Sequence, residues 1–112
     1  MTDNFVRVAR VQDVPVGRSK RVFLGDEELA LWHTKDRWFA VNNVCSHQHI
    51  AALHEGILEG ERVRCPMHGW TYALATGREI AGNGRIRTYE VRLVEGDVFV
   101  GPSPAPEMGG MP

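Results

Sequence analysis

Cys45-Ser46-His47 and, after seventeen intervening residues, Cys65-Pro66-Met67-His68-Gly69-Trp70-Thr71-Tyr72 are the two segments that decide how this chain is read. Each offers one thiolate and one imidazole. Two soft sulfurs and two borderline nitrogens suit either zinc or an iron–sulfur centre, so ligand type alone leaves both open. Structural zinc sites usually take paired cysteines from one turn and paired histidines from another. Here each turn is mixed, which a binuclear centre explains: Cys45 and Cys65 on one iron, His47 and His68 on the other. The bland alternative for two cysteines is a single disulfide, and their count does not discriminate.

Outward from these segments the chain alternates short β-like runs with turn residues, and no stretch carries a helical apolar period. An all-β fold follows. The runs are Phe5–Arg10, with Val6 and Val8 expected on one face, then Ser19–Leu24, Glu28–Thr34 and Arg37–Asn42. Gly25-Asp26 and Lys35-Asp36 supply hairpin turns. Later, Tyr89, Val91 and Leu93 alternate with Thr88, Glu90 and Arg92 before Glu95-Gly96-Asp97 turns the chain into Val98–Val100. This alternation predicts one buried and one wet face. Between Asn43 and Thr71 the strand pattern lapses, leaving two loops around a short run, Glu61–Arg64, with all four candidate ligands in the loops. After Gly101 the Pro- and Gly-rich segment to Pro112 has too few apolar groups to offset its ordering entropy, and a flexible tail is expected.

The 112 residues make one domain, 1–101, followed by the tail. A 43% hydrophobic and 24% charged composition is that of a folded globular protein. Thirteen Lys and Arg against fourteen Asp and Glu lack the basic excess that a phosphate backbone requires, so no nucleic-acid partner is expected. Apolar stretches such as Leu29–Trp32 are far short of the roughly 20 residues that span a bilayer, and no membrane association is expected. The first residues lack a basic n-region and an apolar h-region, so a cytoplasmic location is the expectation.

The pattern C-x-H-x17-C-x-x-H, followed by His68-Gly69-Trp70-Thr71-Tyr72, resembles the Rieske family, in which two His replace two Cys on one iron of a [2Fe–2S] cluster. The resemblance implies an antiparallel β-sandwich or barrel with a cluster-binding subdomain of two loops, about residues 43–73, and one cluster held by Cys45, His47, Cys65 and His68. Membrane-bound respiratory members resemble C-T-H-L-G-C with C-P-C-H-G-S, whose extra cysteines clamp the loops. Ile50 and Met67 stand at those places here, so no clamp can form. The likeness therefore points to the ferredoxins of ring-hydroxylating oxygenase systems.

That resemblance implies a one-electron carrier between a flavin- or iron–sulfur-containing reductase and a terminal oxygenase, with no substrate-transforming site on this chain. The alternative within the family is the small subunit of a cytoplasmic NAD(P)H-dependent nitrite reductase, with that enzyme's large subunit as partner. The alternative outside it is a zinc-stabilised interaction module. Two thiolates and two neutral imidazoles leave an oxidised cluster formally neutral, which eases reduction relative to a four-thiolate centre. Trp70 stands where high-potential members have a serine that donates to sulfide, so a potential in the lower half of the family's roughly −150 to +300 mV span is expected. His49 and His54 fall outside the ligand pattern and are expected to be solvent-exposed or hydrogen-bonded. His33 is a strand residue with no functional role assigned.

Overall fold

A computed structural model of the chain describes residues 5–35, 37–44, 53–66, 70–82 and 84–101. Cys45, His47 and His68, together with His49, Ile50, Met67, Gly69 and the 102–112 tail, lie outside the described residues.

Strand β3, Glu27–His33, carries four consecutive buried residues, Leu29, Ala30, Leu31 and Trp32. A strand wet on one face alternates; an unbroken apolar run is what a strand covered on both faces needs. β3 is the centre of an antiparallel sheet ordered β2-β3-β4-β8, where β2 is Arg18–Leu24, β4 is Trp38–Asn42 and β8 is Thr88–Tyr89. On one side, Leu29, Leu31 and Ala40 share a core with Ala9, Val98 and Val100. These last come from β1, Val6–Arg10, and β10, Asp97–Val100, which with β9, Val91–Val94, form a sheet ordered β1-β10-β9. On the other side, Ala30, Trp32, Phe39 and Val41 share a second core with Leu53, Val63, Cys65, Tyr72, Leu74 and Ile86. The third sheet, β5-β6-β7, supplies part of this core from Ile57–Glu59, Arg62–Arg64 and Thr71–Ala73. The protein is thus three antiparallel layers with two apolar interfaces.

The all-β expectation holds, and four local expectations are corrected. β3 and the middle of β4, whose Trp, Phe, Leu and Val suit a half-buried surface, are buried on both faces. In β1 the pairing register shifts between Arg7 and Ala9, so Val8 is bulged. Val6 is exposed, Val8 is half-buried, and Ala9 is the residue that enters the core. Leu93 is also exposed, because β9 is an edge strand with little packed over that position. Lastly, the segment read as two loops around one run contains three strands. Each is only three residues long, too short to register a period of two in the sequence. Among the described residues no helix is long and apolar enough to cross a membrane.

Tyr89 ties the central sheet's edge to β3, its hydroxyl donating to the Glu27 carboxylate. Burial, reinforced by that bond to Glu27, pushes its phenol from 10.0 up to about 12. The folded protein therefore holds this proton more tightly than the unfolded chain does. The resulting stability is complete below about pH 10 and is lost as pH rises through about 12. Urea unfolding at a series of alkaline pH values is expected to show this decline, and Tyr89→Phe is expected to remove that component.

Candidate metal centre

The second ligand segment is the tip of a hairpin. The β6–β7 ladder pairs Arg62 with Ala73, Val63 with Tyr72 and Arg64 with Thr71. It runs one step further, the Cys65 N–H donating to the Trp70 carbonyl at 2.7 Å. Residues 66–69 separate these two in the sequence. Pro66 is in a turn, which its fixed φ and missing N–H suit. Because Val63 and Tyr72 point inward, the next inward position on β6 is Cys65. It is 1% exposed, in the core with Leu53, Val63 and Tyr72. A soft sulfur donor enclosed by hydrocarbon keeps water from a metal–sulfur bond formed there, which is the environment an iron–sulfur group needs. In that respect the residue fits the expected group. Among the described residues no group of three or more His, Cys, Asp or Glu side chains is gathered that could hold a metal elsewhere.

The first ligand segment is held at its two ends. Asn43, wholly buried, stands two residues before Cys45, and the 3-10 turn Leu53–Glu55 follows the segment. The His54 backbone N–H donates to Asn43 Oδ1 at 2.6 Å, and the Leu53 N–H to the Asn43 carbonyl at 3.2 Å. A backbone N–H can only donate, so the amide orientation is determined. Asn43 Nδ2 then donates both to Glu28 Oε2 at 2.9 Å and to His54 Nδ1 at 2.9 Å. It follows that His54 Nδ1 is an acceptor and its proton is on Nε2. The Asn43 N–H bonds the Glu28 carbonyl, and Ser19 Oγ donates to the His54 carbonyl. Glu28, Asn43 and His54 therefore latch the mouth of the loop to β3. Asn43→Ala takes a hydrogen-bond partner from the half-buried Glu28 carboxylate, the half-buried His54 imidazole and the His54 N–H, and is expected to cost about 2 kcal/mol in urea denaturation.

His54 is thus one of the hydrogen-bonded histidines that its sequence position anticipated, whereas Asn43 and Glu28 were missed. The signal was the Asn42-Asn43 pair at the end of an apolar strand, two residues before the Cys-x-His segment. His33 is structural: its Nδ1–H donates to the Val14 carbonyl at 2.7 Å and its ring stacks on Trp38 at 4.0 Å. Trp70 is partly buried against the core that contains Cys65, and Tyr72 lies fully within it. Of the four ligands expected from the sequence, Cys65 is described and the other three are not.

The Rieske [2Fe–2S] domain profile matches residues 4–90. The 3-phenylpropionate/cinnamic acid dioxygenase ferredoxin subunit of Escherichia coli K12 is 32% identical over 100 residues, 87% of this chain and 92% of that protein. The ferredoxin seen with reduced oxygenase in the carbazole 1,9a-dioxygenase complex superposes with a TM-score of 0.80 at 28% identity, covering 89% of this chain and 94% of that one. A Mycobacterium tuberculosis chain assigned as an NADH-dependent nitrite reductase small subunit has a TM-score of 0.83 at 24% identity, covering 88% of this chain and 94% of that one, a likeness of fold alone.

Proposed function

Since the chain belongs to the Rieske [2Fe–2S] domain family, we propose that it is the ferredoxin of a ring-hydroxylating oxygenase system, passing single electrons from a flavin- or iron–sulfur-containing reductase to a terminal oxygenase. The observation that carries this reading is Cys65, buried where the β6–β7 ladder closes on Trp70 and three residues before His68 in the sequence. The relatives' roles in dioxygenase systems, and the oxygenase complex of one solved neighbour, support it. The group implied by the family supplies one-electron redox chemistry when bound.

The chain's own contribution is to hold and shield. Cys45 and Cys65 would bond one iron through sulfur, and His47 and His68 the other through a ring nitrogen. The apolar core of Leu53, Val63, Tyr72 and Trp70 excludes water from the Cys65 side. The Asn43 latch fixes where the first segment leaves and rejoins the scaffold. Docking would use the loop surface carrying His47, Ile50, Met67 and His68, through a small and transient interface of the kind redox partners form. Metal and sulfide analysis of the purified protein tests the reading. Equal iron and acid-labile sulfide, two of each per chain, are expected from a binuclear cluster. Stoichiometric zinc without labile sulfide would replace this function with that of a zinc-stabilised module.

A further inference from the structure

The third sheet has an outer face that neither core uses. Cross-strand partners share a face, so the ladder defines rows. Ile57 pairs with Arg64, Arg64 with Thr71, and Thr71 accepts the Ile80 N–H at 2.8 Å. The next row on the same face is Glu59, Arg62, Ala73 and Arg78, continued by Arg85 opposite Arg78. Burial agrees with the geometry. Val63, Tyr72 and Glu79 between these rows are buried, while Ile57 and Ile80 are 52% and 45% exposed and the arginines are exposed. The first row borders the centre directly, since Arg64 precedes Cys65 and Thr71 follows Trp70.

The charge on this face is lopsided. It carries four of the chain's 13 basic side chains, Arg62, Arg64, Arg78 and Arg85, against one exposed acidic one, Glu59, while the buried Glu79 lines an opening shared with Arg78 and Arg85. Arg64 is taken up by Glu59 at 2.6 Å, and Glu61 in the adjoining turn by Arg37 at 3.4 Å. Arg62 and Arg78 have no ion-pair partner among the described residues. The rest of the chain has nine basic side chains against thirteen acidic ones. An exposed basic face of this kind draws negative charge toward itself during encounter.

We infer that the outer face of the β5–β7 sheet, through Ile57, Ile80, Arg62 and Arg78, is a docking surface for an acidic face of a redox partner protein. The inference rests on the electron-carrier reading and extends the contact beyond the two ligand loops. Two exposed isoleucines within the basic face favour a protein over a nucleic acid or an anionic membrane, because an interface core combines apolar anchors with arginine. The arginines would set orientation and encounter rate, and the isoleucines the lifetime of the contact.

The test uses the cluster-loaded full chain, reduced and mixed with cytochrome b5, an acidic one-electron acceptor, or with cytochrome c, a basic one. Oxidation by cytochrome b5 is expected to slow as salt rises. Arg62→Glu/Arg78→Glu should slow it about tenfold at low salt and accelerate the reaction with cytochrome c. If that variant fails to fold, Arg62→Gln/Arg78→Gln should give a loss of about threefold. Ile57→Ser/Ile80→Ser should slow the cytochrome b5 reaction without changing its salt dependence. Arg7→Glu/Arg10→Glu, on β1 in the opposite outer layer, should stay within about twofold of the parent. Equal rates for the outer-face and β1 charge reversals would overturn the inference, as would retention on phosphatidylserine vesicles or duplex DNA at physiological salt. A protein with an intact cluster spectrum and unchanged rates contradicts only the docking face. A protein with no cluster contradicts the electron-carrier reading itself.

Discussion

Cys65→Ala is expected to yield protein with no iron, no labile sulfide and no visible absorption, and with a much reduced resistance to urea. Were Cys65 only a core residue, losing its sulfur would remove one buried heavy atom from a packed site and cost roughly 1 kcal/mol. If it is a ligand, the cluster's binding free energy is also folding free energy, because no preformed site exists in the unfolded chain. The loss should then far exceed the packing figure. Cys65→Ser, nearly the same size, separates the two: a packing role predicts a small effect, a ligand role predicts a colourless protein again. Iron analysis beside urea denaturation reads both. A Cys65→Ala protein that kept its iron and lost only the packing contribution would remove Cys65 from the ligand set.

Gly77→Ala is expected to be the most damaging single substitution in the scaffold beneath the centre. Gly77 has φ +75 and turns the chain from β7 into the segment that pairs with it, its N–H donating to the Ala73 carbonyl at 2.7 Å. Its carbonyl accepts the Ile86 N–H, which joins this sheet to the strand leading back to the central layer. A Cβ there would stand 2.1 Å from the Ile86 carbonyl oxygen, a backbone atom that cannot swing away. Left-handed strain alone costs an L residue about 1–2 kcal/mol. Forcing the two segments apart adds overpacking of about 1–3 kcal/mol and breaks the Ile86 bond. Gly60→Ala is the control. Its φ is +67 and nothing lies within 4 Å, so only the strain should appear. Equal urea midpoints for the two variants would show that the close approach at Gly77 does not govern stability.

The all-β class and most of the long strands were legible because their runs of Trp, Phe, Leu and Val are five to seven residues long and end in turn residues. Local pattern could not reveal that Leu29 to Trp32 is covered on both faces. That depends on which sheets stack on it, although four unbroken apolar residues already hinted at it. Of the three short strands around the ligand segments, β6 was read as the run Glu61–Arg64, and β5 and β7 were invisible for want of length. The family pattern was the most legible feature, since two Cys and two His at fixed spacing are a local signal, and the Rieske domain match over residues 4–90 agrees with it. The latch was not legible, because Glu28, Asn43 and His54 meet only once β3 and β4 pair. The bulge at Val8 was hidden for a similar reason: a register shift is a property of two strands, and only one of them is read at a time.

The proposed binuclear cluster would have sulfur ligands on one iron and imidazoles on the other. Mössbauer spectroscopy of the iron-57 protein, oxidised and then reduced by one electron, tests it most directly. Two inequivalent irons in equal amounts are expected, with the added electron localised on the imidazole-bound iron, the site carrying less ligand negative charge. A single iron environment, or two that change equally on reduction, would contradict the assignment of Cys45 with Cys65 and His47 with His68.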